Sequence, residues 1–503
     1  MSGPAFAGGD TVDLLVVGGG INGAGIARDA SGRGLRVLLV EKGDLAEGTS
    51  SRSGKLVHGG LRYLEYYEFR LVREALIERE VLLKAAPHII WPMRFVLPHS
   101  PAQRPRWLIR LGLFLYDHLG GRERLPGTRA LDLARDPVGA ALDRRFTRGF
   151  EYSDCWVDDA RLVVLNALDA ARRGAAVSTR TRLVEARREA GLWVATLQAG
   201  GVRREVRARA LVNAAGPWVE EVIGRAGRRS TRQVRLVKGS HLVLPKFWDG
   251  PQAYLIQNDD RRVIFVNPYE GDLALVGTTD IPFAGRPEEV VIDDAEIDYL
   301  LAILNRSFKR QFGRGDIVSS FSGVRPLYDD AAESASAVTR DYVFELDGEA
   351  GTAPLLSIFG GKITTFRKLA EQALDRLVPF FPVMAGAWTA SAVLPGGDLP
   401  EADFELWRAE LARRYPGLPD ALRTHYGRLY GSEAPAILGA AAVPADLGRH
   451  FGGLLYAREI DHLVRSEWAR SPEDILWRRT KHGLHLTAAE RADVADWLAA
   501  QAA

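Results

Sequence analysis

Residues 12–41 read VDLLVVGGGINGAGIARDASGRGLRVLLVE, and the order of apolar and glycine positions in this stretch decides the fold. An apolar strand, Val12 to Val17, runs into Gly18, Gly20 and Gly23 in a G-x-G-x-x-G frame, followed by a helix and a second strand. Gly18 permits the tight turn, Gly20 lets backbone approach a pyrophosphate, and Gly23 lets helix pack closely on strand. Ile21 and Asn22 fall at the helix N-terminus, where unpaired N–H groups and the macrodipole favour negative charge. Glu41 closes the second strand roughly 20 residues beyond the glycines, where a carboxylate accepts both ribose hydroxyls and repels a 2′-phosphate. Lys42 follows it. Strand, loop, helix, strand and acid together predict a Rossmann-like dinucleotide site.

The next segment favours FAD over NAD. Residues 42–60, KGDLAEGTSSRSGKLVHGG, are dense in Gly, Ser and Thr where a nicotinamide enzyme usually continues with a plain βα unit. Thr49, Ser50 and Ser51 offer hydroxyls, and Lys55, Leu56, His58 and Gly59 continue the same ligand-facing stretch. Alone, such a loop is a polar connection. Two distant corners add to it. ARALVNAAGPWVEEV (208–222) is a strand entering Ala214, Gly216 and Trp218 before a Pro-led helix start. SIFGGKITTFRKLAEQAL (357–374) is again strand, Gly-Gly and helix, with Gly361, Lys362, Ile363 and Thr364 at the corner. Three strand–glycine–helix corners suit one extended ligand, and FAD has that length.

Composition sets outer limits. At 503 residues the chain exceeds what one core usually supports, so several domains are expected. Lys+Arg 66 against Asp+Glu 64 leaves no basic excess for a phosphate backbone, so nucleic acid is not an expected partner. Cys155 is the single cysteine, which excludes an intrachain disulfide and a multi-Cys metal site; no metal is expected. Asp10 and Asp13 with no basic run argue against a signal peptide, and no apolar stretch reaches 18 residues. One segment points to a membrane surface. Residues 104–118, RPRWLIRLGLFLYDH, place Trp107, Leu108, Leu111, Phe114 and Leu115 at helical spacing beside Arg104, Arg106 and Arg110. Such a helix either lies in a headgroup layer or buries that face against its own domain.

The fold class expected is α/β: a Rossmann-like FAD-binding domain, a mixed-sheet substrate domain and an α-helical C-terminal domain. The FAD domain is discontinuous, 1–85, 150–235 and 320–395; the substrate-covering domain takes 86–149 and 236–319, where HLVLP (241–245), RVIFVNP (262–268) and LALVGTTD (273–280) read as strands. Beyond the breaker cluster 394–398, residues 396–503 read as helices, with Ser471-Pro472 and Thr487 with Glu490 as helix starts.

Eight segments then carry a resemblance: GGGINGAGIARDA, GTSSRSGKLVHGGLRYLEYYEFRLVREAL, FEYSDCWVDDARLV, VNAAGPW, VKGSH, VGTTD, SGVRPL and FGGKITTFRKLAE. In order and spacing they resemble the FAD-dependent, quinone-linked glycerol-3-phosphate dehydrogenases, from about Val12 to Trp497. Arg52 and Gly54 depart from that pattern, and no EF-hand loop follows, so the likeness is to the bacterial type. It implies oxidation of glycerol 3-phosphate to dihydroxyacetone phosphate, electron passage to a membrane quinone, non-covalent FAD and a homodimer. The implied location is cytoplasmic, peripheral on the inner face of the plasma membrane, with 104–118 as the contact.

The chemistry needs a base and a holder for charge on the reduced flavin, since hydride goes to flavin N5 from a carbon whose hydroxyl loses its proton. Lys362 sits where a helix N-terminus and an ammonium meet the flavin's pyrimidine edge. The resemblance selects Arg62 and Arg325 as phosphate-gripping guanidiniums, with Tyr63 beside Arg62. His241 is the preferred base and His58 its rival. Catalytic roles are thus expected of His241, Arg325, Lys362 and Arg62, and substrate contacts of these four with Tyr63. Only one dinucleotide fingerprint is present, so electrons leave to quinone or oxygen. The alternatives are a glycerol-3-phosphate oxidase, an amine or amino-acid oxidase on the same fold, and a flavin-bearing binding protein without turnover.

Overall fold

The computed structural model describes residues 11–502 except 102, 231, 259, 261, 329–340 and 350. Asp10 and the N-terminal segment read above as no signal peptide lie outside the described residues. An eight-stranded sheet is built around the parallel strands Leu355–Gly360, Val202–Asn213, Thr11–Val17, Val37–Val40 and Ala176–Ser178, in that order. Parallel strands bury both faces, which is why Leu14, Leu15 and Val16 are all apolar and all fully enclosed. Leu14 and Val16 pack on the helices Ile21–Gly32, Asp159–Arg172 and Phe366–Leu377, whereas Val12, Leu15 and Val17 pack on the opposite side with Trp193 and Leu211.

Among the described residues the second sheet has ten strands and is mixed: Ala253–Gln257 runs parallel to Ile90–His99, and its other pairings are antiparallel. Three strands expected wholly or largely in the FAD-binding domain belong to this sheet. Arg148–Val157 and Ser319–Tyr328 both pair within this sheet, as do Leu56 and Val57, because ladder hydrogen bonding rather than glycine corners groups them. Alternation along Val234–Pro245 sends Leu242 and Leu244 into a core with Leu300 and Leu304 of helix Asp294–Ser307. His241 and Val243 therefore face the other way, Val243 into a core with Phe95, Tyr152 and Leu275 and His241 into a cavity.

Beyond residue 400 the described chain is helical with its own core, including Trp407, Leu411, Tyr426, Leu438 and Leu463. Thr487 and Glu490 exchange the reciprocal bonds of a capping box, as their spacing predicts. Buried ion pairs dock this region on the first sheet: Arg161 with Glu467, Arg479 Nη1 2.7 Å from Asp44 Oδ2, and Lys481 Nζ 2.6 Å from Asp158 Oδ2. Cys155 is fully buried, and burial pushes its thiol pKa up.

Helix Arg106–His118 does not bury the face that its sequence singles out. Leu113 and Tyr116 turn inward, while Trp107 is 69% and Phe114 56% exposed. No helix among the described residues is long and apolar enough to cross a membrane.

Candidate active site

The glycine loop shapes the first of two joined cavities. Gly18 has φ +116, and a Cβ there would stand 2.4 Å from the Ala214 carbonyl oxygen. A Cβ on Gly23 would stand 1.8 Å from the Gly18 carbonyl oxygen, so helix and strand meet this closely only because residue 23 is glycine. The helix opens at Ile21 with no side-chain cap on Gly20. Ser50 Oγ instead accepts from the Ile21 amide at 3.0 Å, and Glu41 accepts from the Gly19 amide at 2.6 Å and the Gly43 amide at 2.8 Å. Burial raises the Glu41 carboxyl pKa, and these two amides oppose the rise. Each carboxylate oxygen keeps a lone pair for a further donor. The cavity, ≈ 270 Å³, is lined by Gly18, Gly20, Asn22, Glu41, Lys42, Ala214 and Gly216 among others. Trp218 closes its rim, with the Lys42 ammonium 3.6 Å from the indole centroid and Glu288 accepting from both side chains.

The second cavity, ≈ 630 Å³, shares Ile21, Thr49, Ser50, Arg52 and Gly361 with the first, so the two form one trough. At its joint the chain turns at Gly360 and Gly361, and Lys362 Nζ donates to the His58 carbonyl at 2.6 Å. The same ammonium lies 5.2 Å from the Tyr63 ring centroid. Asn22 Oδ1 and Asn267 Oδ1 are buried without hydrogen-bond partners, and both residues line the trough. A glycine-walled trough with a helix N-terminus at one end and unsatisfied polar atoms along it fits FAD.

The wall of the larger cavity is the inner face of the second sheet. His241 pairs with Gly277 on one side and Phe321 on the other, and its ring stacks on Phe321 at 4.8 Å. Glycines make the room. A Cβ at Gly277 would stand 2.2 Å from His241 Cδ2, and one at Gly239 would stand 2.3 Å from Arg325 Nη2. Burial, with the Arg325 and Lys55 charges, lowers the His241 pKa to about 3, so the imidazole is neutral in the free protein. Arg325 reaches the cavity from Ser319–Tyr328, held by Asp280 Oδ1 at 2.7 Å, Thr278 Oγ1 at 3.1 Å and the Thr279 carbonyl at 3.0 Å. Arg62 enters from the short helix Leu61–Tyr66, its guanidinium 6.0 Å from the Tyr66 ring centroid.

Arg62, Tyr63, His241, Arg325 and Lys362 therefore converge on one cavity, together with Leu56, His58 and Ile363. Five expected cofactor residues, Gly23, Ser51, Lys55, Gly59 and Thr364, line neither cavity. Gly23 packs on Gly18, Lys55 Nζ pairs with Asp159 Oδ1 at 2.7 Å and donates to the Ser51 carbonyl at 3.1 Å, the Gly59 amide donates to Asp154, and Thr364 Oγ1 bonds the His58 backbone. Sequence reasoning missed Asp280, Thr278, Asn267 and Phe321. The first two stand in the quoted VGTTD, but their partner Arg325 lies on a strand 45 residues on from Asp280, and only sheet pairing brings them together.

The family model "FAD dependent oxidoreductase" matches residues 13–367, and "C-terminal domain of alpha-glycerophosphate oxidase" matches residues 387–502. The chain is 63% identical to the D-erythritol 1-phosphate dehydrogenase of Brucella abortus, covering 97% of this chain and 98% of that one. It is 53% identical to the aerobic glycerol-3-phosphate dehydrogenase of Escherichia coli, covering 97% of each. A solved structure of the glycerol-3-phosphate dehydrogenase from Bacillus halodurans complexed with FAD superposes with TM-score 0.74 at 26% identity, covering 98% of this chain and 95% of that one.

Proposed function

The chain belongs to the FAD-dependent oxidoreductase family that includes the glycerol-3-phosphate dehydrogenases, and from that premise we propose that it oxidises glycerol 3-phosphate to dihydroxyacetone phosphate. The observation carrying this reading is that His241 and Arg325, from neighbouring strands, face the cavity into which Lys362 turns from the flavin corner. FAD supplies the two-electron acceptor. The protein's own part is positioning and proton handling. Arg325, oriented by Asp280, and Arg62 present guanidinium donors to the substrate phosphate, which fixes the secondary alcohol relative to the trough. His241 Nδ1 is enclosed, leaving Nε2 to take the hydroxyl proton. The phosphate's negative charge beside Arg325 offsets one of the two charges that depress the His241 pKa, so substrate binding strengthens the base. Lys362 and the helix start behind it provide positive potential at the joint.

The acceptor is proposed to be a membrane quinone. The larger cavity extends from the flavin corner to half-buried Leu108 and Leu115 and to exposed Tyr66, Tyr67, Phe69 and Leu111, with Arg104, Arg106 and Arg110 beside this rim. A site that is polar at one end and opens onto such a rim suits peripheral attachment to a cytoplasmic membrane face, as a homodimer in our reading.

Anaerobic mixing of the yellow protein with glycerol 3-phosphate tests the proposal. Bleaching of the flavin supports it, and an unchanged spectrum sinks it. Peroxide formation in air at the full turnover rate, without added quinone, would make the protein an oxidase instead. The higher identity to the D-erythritol 1-phosphate enzyme favours a second substrate reading on the same machinery, decided by comparing kcat/KM for the two polyol phosphates.

A further inference from the structure

The helical C-terminal region holds a second cluster of ionisable groups, outside both cavities. His425 on helix Asp420–Tyr430, Glu459 on helix Ala457–Ser466 and His482 at the turn His482–Leu484 each bring one ligand atom within 4.8 Å of the others. His425 Nε2 stands 2.8 and 3.0 Å from the two Glu459 oxygens, and His482 Nε2 stands 3.8 Å from Oε2. Glu459 is fully enclosed, and His482 is 5% exposed.

A hydrogen-bonded triad accounts for only part of this. His425 can donate to Glu459, and so does the Tyr430 hydroxyl, at 2.7 Å. His482 Nε2, 3.8 Å from Glu459, is too far for a hydrogen bond, and it is buried with no hydrogen-bond partner. An enclosed imidazole nitrogen aimed at a carboxylate, beside a second imidazole aimed at the same carboxylate, is a ligand set. Tetrahedral bonds of about 2.0–2.1 Å place neighbouring donor atoms roughly 3.3 Å apart, and the separations of 2.8 and 3.8 Å bracket that value. Two nitrogens and one carboxylate suit a borderline divalent ion rather than magnesium or calcium, which take oxygen.

We propose that His425, Glu459 and His482 bind one zinc-class divalent cation that pins the two helices to the turn at His482. This revises the sequence expectation of no metal. The role is structural. The turn begins beside Arg479 and Lys481, whose pairs with Asp44 and Asp158 dock the helical region on the first sheet, so the ion fixes the element that carries the docking cations.

The full-length flavoprotein, stripped with dipicolinate and dialysed, provides the test. On titration with zinc it is expected to take up one ion per chain with a rise in Tm, and with cobalt to develop the visible absorption of a tetrahedral site. His425→Gln and His482→Gln should lose both responses and keep full FAD content and polyol-phosphate turnover. The proposal is overturned if stripped wild type gives no tetrahedral cobalt spectrum, a readout that needs no variant. Equal zinc uptake by wild type and the His425→Gln, His482→Gln double variant would also overturn it, since the ions would then sit on surface histidines.

Discussion

Arg325 Nη1 lies 2.7 Å from Asp280 Oδ1, and through Nη2 the same guanidinium also donates to Thr278 Oγ1 and the Thr279 carbonyl. The carboxylate holds one edge of the planar fork, which aims the remaining donors at the cavity. Arg325→Ala removes a charge-assisted contact worth about 1.5–3 kcal/mol, so kcat/KM for the polyol phosphate should fall roughly 10- to 150-fold, mostly through KM. Arg325→Lys keeps the charge but loses the fork and should recover only part of that loss. Asp280→Asn keeps a hydrogen bond yet lets the fork turn, and its KM should lie between those of wild type and Arg325→Ala. Steady-state kinetics with a soluble dye acceptor separates the three; equal KM in all of them would remove Arg325 from the substrate site.

His241 makes a prediction about proton transfer. Burial, then the Arg325 and Lys55 charges, hold its pKa at about 3. The free protein therefore carries a neutral imidazole across the physiological range, and the kcat/KM profile should show no limb from His241 near pH 6.5. His241→Gln should lower the rate of anaerobic flavin reduction by about 10²–10⁴ with little change in KM. A variant that reduces its flavin at the wild-type rate would transfer the base role to His58.

How much of this was legible in the chain differs by element. The fingerprint at Gly18, Gly20, Gly23 and Glu41 is local, because one βαβ unit builds the whole phosphate end, and each residue occupies the cavity wall or the packing contact its spacing implies. The corners at Ala214 and Gly361 are also local, though their meeting is not. The second sheet was harder. Its strands were recognisable as apolar runs, but the pairing of Val237 with Arg325 and of His241 with Gly277 joins segments far apart in sequence. Asp280 and Phe321 owe their place to that register alone. Lys55 misled for the opposite reason: it sits in a ligand-like loop, yet Asp159 captures its ammonium behind the wall. His425, Glu459 and His482 carry no local spacing signal, since three separate elements supply them.

His88 links stability to pH. It is fully buried, neither ring nitrogen has a partner, and burial, with the Arg161 and Arg428 charges, lowers its pKa to about 3. The unfolded chain, with an ordinary histidine near 6.5, binds the proton first as pH falls. Stability from this site is therefore complete above about pH 6.5 and is lost toward pH 3, at up to about 1.4 kcal/mol per pH unit. Urea midpoints measured between pH 7.5 and 5 should fall with acid, and His88→Gln should flatten that slope even if it lowers the midpoint at pH 7.5. An unchanged slope would show that other groups dominate acid unfolding.

Trp107 and Tyr67 are 69% and 80% exposed, and Leu111 and Phe114 continue the same patch beside Arg104, Arg106 and Arg110. Large side chains rarely gather in the open without a surface to meet. Burying one such side chain contributes roughly 1.5–3 kcal/mol, so the triple variant Trp107→Ser, Leu111→Ser, Phe114→Ser should lose co-sedimentation with anionic vesicles by at least about tenfold. Raising the salt concentration should weaken wild-type binding without abolishing it, because the arginines contribute a screened term and the aromatic face an unscreened one. Leu113 and Tyr116, which hold the helix to its domain, are untouched, so turnover with a soluble dye should persist. Turnover with a long-chain quinone in vesicles should drop with the binding. If vesicle binding and quinone turnover both survive in the triple variant, the patch covers something other than lipid, and the acceptor reaches the flavin by another route.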